Sequence, residues 1–150
     1  MKTPLVLALA AAAGLATAAP AKELLNLDRN GVAIQGYDPV AFFTDAKPVR
    51  GRPDLASTLR GATYRFASPE HKAAFEREPE TYAPAFGGFC AYGVSRERLV
   101  DVDVDAFQIV NGRLLLQYST SIRDDFNEDT AGNLARADRS WPALVEAKGK

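Results

Sequence analysis

The stretch that most restricts the fold is FQIVNGRLLLQY, Phe107 to Tyr118, where two apolar runs flank Asn111-Gly112. A period of two puts successive side chains on opposite faces of a strand, and Asn-Gly accepts the left-handed angles of a type I′ turn. The stretch therefore predicts a tight antiparallel hairpin, entered through the alternating LVDVDVDAFQIV. A second pair of strands is expected around Arg60-Gly61, because Tyr64 and Phe66 alternate with Thr63 and Arg65.

Helices are expected between and after these hairpins. Ser68-Pro69-Glu70 has a capping hydroxyl, a proline at the first helical position and a glutamate where the dipole favours it; Pro79 ends the run. Its inward face should carry His71, Ala74, Phe75 and Glu78, leaving Lys72, Glu76 and Arg77 outside. Asp38 is placed to cap a short helix starting at Pro39 that buries Val40 and Phe43. A further short turn in PETYAPAF leads to Gly87-Gly88. Two more helices are predicted, from Ser121 to Glu128 and from Asp129 or Thr130 to about Ala147, the second interrupted at Trp141-Pro142. A polar arm, Ala21 to Asn30, precedes a short strand at Val32 and Ile34. Together these give an α+β domain: a small antiparallel sheet with hairpins packed against several short helices.

The chain of 150 residues opens Met1-Lys2-Thr3 and runs uncharged from Pro4 to Ala19 toward small residues. That pattern predicts a signal peptide over residues 1–21, a single domain over 22–150, and a periplasmic or secreted protein. No cysteine follows the apolar run to take a lipid, so no membrane insertion is expected once the leader is cleaved. The formal net charge of −1 offers nothing for nucleic acid.

Cys90 is the only cysteine, so no intrachain disulfide supports the fold, and His71 is the only histidine. With Asp38 they form the candidate metal set, Cys90, His71 and Asp38, since thiolate and imidazole suit copper(I) or zinc. A carboxylate, tyrosine, water or second molecule would complete the coordination, which allows a homodimer. A small molecule in the same pocket is the other ligand considered. The alternatives are a structural or protein-interaction domain and a thiol-dependent enzyme. In the first, Cys90 packs among Phe86, Phe89 and Tyr92, His71 is a hydrogen-bonded core residue and Asp38 a helix cap; in the second, Cys90 and His71 form a nucleophilic pair. A calcium loop at Asp101, Asp103 and Asp105 is excluded by Ala106 and Gly112, which stand where the loop needs glycine and glutamate. No serine lies in a G-x-S-x-G turn.

From about Gly36 to Leu144 the chain resembles the YHS domain family, specifically its exported single-domain relatives. GYDPVAFF, ATYRFASPEHKAAFEREPETYAP, FGGFCAYGV, IVNGRLLLQY and NLARADRSWP carry the likeness. The compact form reads roughly D-P-V-C, then Y-x-F-C-S-x-x-C-x-x-x-F, then P-x-x-Y, and is regarded as a heavy-metal-binding module allied to zinc-binding domains and attached to metal-transporting ATPases. Its cysteines fall here on Ala41, Ala67 and His71. The resemblance implies metal binding, with His71 retained as a nitrogen donor.

Overall fold

The computed structural model describes Gly14 and residues 18–150, so positions 1–13 and 15–17 of the expected leader lie outside the described residues. The elements run Ala41–Thr44 (α1), Arg52–Leu59 (β1), Ala62–Phe66 (β2), Pro69–Arg77 (α2), Pro79–Tyr82 (α3), Ala91–Ser95 (α4), Asp103–Val110 (β3), Arg113–Gln117 (β4), Thr120–Asn127 (α5) and Thr130–Lys148 (α6). The fold is α+β. Its strands form two separate antiparallel ladders, β1 with β2 and β3 with β4.

The β3–β4 turn takes φ of 51° at Asn111 and 73° at Gly112, the left-handed pair that the dipeptide favours. Strand β4 is buried on both faces. Leu114 and Leu116 enter one apolar cluster with Val40, Phe42, Phe66 and Phe75, while Leu115 enters a second with Phe86, Val94, Phe126 and Leu134. One strand thus serves two cores, because alternate side chains leave it in opposite directions.

In α2 the Ser68 hydroxyl accepts from the His71 N–H at 3.1 Å, as the Ser-Pro-Glu start requires. Phe75 is buried against Tyr64 and Phe66, with ring centroids 4.8 and 5.2 Å away. Glu78, expected inside, is exposed: it lies beyond the last helical residue, where its angles leave the helix. Helix α1 also differs from expectation. It begins at Ala41 rather than Pro39, and Phe42 is fully buried while Phe43 is half-buried. Helix α6 runs without interruption through Pro142. Tertiary packing offsets the lost backbone bond there: Trp141 sits edge-on to Phe86 at 5.9 Å and near Phe89 at 6.5 Å.

The segment after Lys22 is a strap. Glu23 and Lys150 exchange two backbone hydrogen bonds of 3.0 Å, and the Asn26 N–H donates to the Gly87 carbonyl at 2.8 Å. A Cβ on Gly87 would collide with the Leu24 carbonyl, and its φ is +59°. Among the described residues no helix is long and apolar enough to cross a membrane.

Candidate functional site

The three expected ligands divide between two places. Asp38 and His71 meet at a junction of α1, β2 and α2. The Asp38 carboxylate is 0% exposed; one oxygen accepts from the Val40 and Ala41 N–H groups at 2.8 and 3.3 Å. The other accepts from the Ala67 N–H at 2.8 Å and from His71 Nδ1 at 2.6 Å. A carboxylate is an acceptor here four times over, so Nδ1 carries the proton and Nε2 is left to face the Thr44 hydroxyl at 3.3 Å. Asp38 thus gathers the N–H groups that lead into α1, as expected of it, and also binds the link between β2 and α2 and the His71 side chain.

Ala41, Ala67 and His71, the positions that the resemblance assigns to cysteines, all bond to this one carboxylate. Only His71 among them bears a donor side chain. Its imidazole has Nδ1 committed and its side chain is 19% exposed.

Cys90 lies elsewhere. It is 1% exposed, and its N–H donates to the Val100 carbonyl at 3.0 Å. Its thiol donates to Gln117 Oε1 at 3.3 Å and accepts the Gly93 N–H at 3.4 Å, which makes Cys90 the cap of α4. The same Gln117 oxygen accepts the Tyr92 N–H at 3.0 Å, and the amide nitrogen on that group is buried without a partner among the described residues. The thiol's side-chain partner is therefore glutamine rather than histidine, and the Cys90–His71 nucleophilic pair does not form. Gly87, three positions before Cys90, makes room for the strap at Leu24.

Among the described residues no three His, Cys, Asp or Glu side chains group so as to hold a metal ion. The donor set implied by the resemblance does not fit such an ion: Asp38 is saturated by hydrogen bonds, two cysteine positions are alanine, and Cys90 belongs to another part of the fold.

What Cys90 does border is a cleft of about 840 Å³. Residues of the α4 segment, Tyr118, Ile122 of α5 and Ala143 of α6 line it, and neither Asp38 nor His71 does. Four arginines enter its wall: Arg96 and Arg98 from the turn after α4, Arg136 and Arg139 from α6. Glu97 is the one carboxylate among them. Sequence reasoning missed these arginines, since two pairs about forty positions apart have no spacing that points to a site. Comparison of the chain with family models, curated proteins and solved structures yields no match.

Proposed function

We propose that this chain is an exported binding domain for a small molecule, and that the ligand site is the cleft beside Cys90. The observation that carries the reading is the cleft itself. Its volume of about 840 Å³ suits a small organic ligand, for which pockets of about 300–1,000 Å³ are usual. Its wall mixes apolar groups (Val100, Ile122, Ala143), tyrosine rings (Tyr92, Tyr118) and fixed polar donors. Export is supported by the leader-like first residues, and it agrees with a fold whose one cysteine is buried.

The geometry favours a small molecule over a soft metal ion, because the metal reading draws on His71 alone of its three expected donors. Binding is favoured over turnover for a similar reason. A thiol held by Gln117 and Gly93, with no imidazole on it, has no base to activate it.

The test is a thermal-shift screen of neutral and charged small molecules against the protein and against Ala143→Trp, whose indole would fill the cleft from the exposed side of α6. A ligand near one hundred times its Kd should add about 2.7 kcal/mol of stability to the parent, and Ala143→Trp should lose that gain. Ligands that stabilise both proteins alike would place the site elsewhere. Stoichiometric zinc or copper(I), retained by the parent and lost in His71→Ala, would return the metal reading.

A further inference from the structure

We infer that the ligand of this cleft is an organic dianion, a compact molecule with two acidic groups on an apolar or aromatic frame. The inference rests on the cleft being a ligand site and adds the ligand's charge and shape. It starts from an imbalance of charge. The chain carries slightly more acidic than basic side chains, yet four guanidinium groups line one cleft with a single carboxylate, and among the described residues only Arg136 of the four is paired with an acid, Asp129. Like charges brought together raise the energy of the empty fold, and an anion between them relieves it.

The four arginines are not equivalent. Arg96 is held against Tyr92, its guanidinium 4.8 Å over the ring and Nη2 donating to the phenol oxygen at 2.6 Å. Arg136 is held by Asn133 Oδ1 at 2.7 Å and Asp129 Oδ2 at 3.2 Å. Both are oriented before a ligand arrives, which reduces the entropy lost on binding. Arg98 and Arg139 have no carboxylate partner among the described residues. A guanidinium offers parallel N–H donors matched to a carboxylate or phosphate, so two unpaired ones make two acid-binding positions.

The remaining wall selects for an organic frame over a bare inorganic ion. Tyr118 is 58% exposed, the larger exposure of the two large apolar side chains that face solvent among the described residues, and it borders the cleft with Ile122 and Val100. An aromatic or aliphatic frame covers that ring while its acid groups reach the arginines. A polyanion such as nucleic acid is disfavoured, because outside the cleft the net charge is negative and would repel an extended phosphate backbone.

Isophthalate and its neutral isostere isophthalamide test this by titration calorimetry on the mature protein. Isophthalate should bind at least tenfold more tightly than isophthalamide. Its affinity should fall by at least tenfold, about 1.4 kcal/mol, in Arg98→Ala and in Arg139→Ala, and should weaken as salt rises. Arg29→Ala, on the exposed arm, is the control and should bind as the parent does. Equal affinity for the two probes, arginine variants that bind like the parent, or no isophthalate binding at millimolar concentration would each overturn the dianion. Neutral ligands that still lose their effect in Ala143→Trp would leave the cleft standing as a site for uncharged molecules.

Discussion

Replacing Asp38 by alanine should unfold the junction of three elements at once. The substitution strips the acceptor from the N–H groups of Val40, Ala41 and Ala67 and from His71 Nδ1. Val40 and Ala41 are fully buried, so their donors cannot turn to water, whereas Ala67 and His71 are half-buried and regain part of their solvation. Each buried donor left unpaired costs about 1–3 kcal/mol. Two such donors, with the space left by the lost carboxylate, give about 3–6 kcal/mol. On a domain of this size that is a large share of about 5–15 kcal/mol of total stability. Asp38→Asn keeps the volume and one acceptor oxygen but turns an amide N–H₂ toward the Ala67 donor, and should cost roughly half as much. Urea denaturation followed by circular dichroism measures both, with an unchanged m value showing that the unfolded reference is the same. In a double-mutant cycle with His71→Ala, the Asp38 and His71 effects should be far from additive, since they share a 2.6 Å bond. If Asp38→Ala lies within about 1 kcal/mol of the parent, below the cost of even two weakly buried orphans, the junction is not what fastens α1 to α2.

Phe75→Ala should cost about 3–5 kcal/mol by opening a cavity between Tyr64 and Phe66, while Lys72→Ala leaves the denaturation midpoint almost unchanged. Gly87→Ala should release the strap, seen as faster hydrogen exchange at Asn26, because the new Cβ meets the Leu24 carbonyl; equal exchange in the two proteins would refute the contact. Burial pushes the Tyr64 hydroxyl up to about 12 from its usual 10. Its contribution to stability is therefore complete below pH 10 and is lost as pH rises through about 12. Tyr64→Phe should flatten that alkaline fall, and an unchanged slope would show that other groups cause it.

Local chemistry made the hairpins and the start of α2 legible. Asn111-Gly112 and Ser68-Pro69 each fix their own backbone, so distant residues had little power to alter the outcome. Pro142 shows the opposite case: a proline reads as a break, but Trp141 packed on Phe86 holds α6 through it. The cap at Asp38 could be read from Pro39 beside it. Its second oxygen could not, because Ala67 and His71 arrive from about thirty positions away. Cys90 drew attention as the lone thiol, yet its side-chain partner is Gln117, a residue type with no motif of its own. The arginine cleft was invisible for the same reason, being assembled only when α6 docks beside the turn after α4.

The strap has a kinetic consequence. Lys22 bonds to Glu146, which lies 124 positions further along, and Glu23 completes its pairing only with Lys150. Closing so long a loop early costs more entropy than a few hydrogen bonds return, so the strap forms after the rest of the chain has condensed. During synthesis, every other element can emerge and begin to pack while the strap still waits for its partner. The strap is thus the last segment to be secured, and it cannot close until Lys150 is free to receive it.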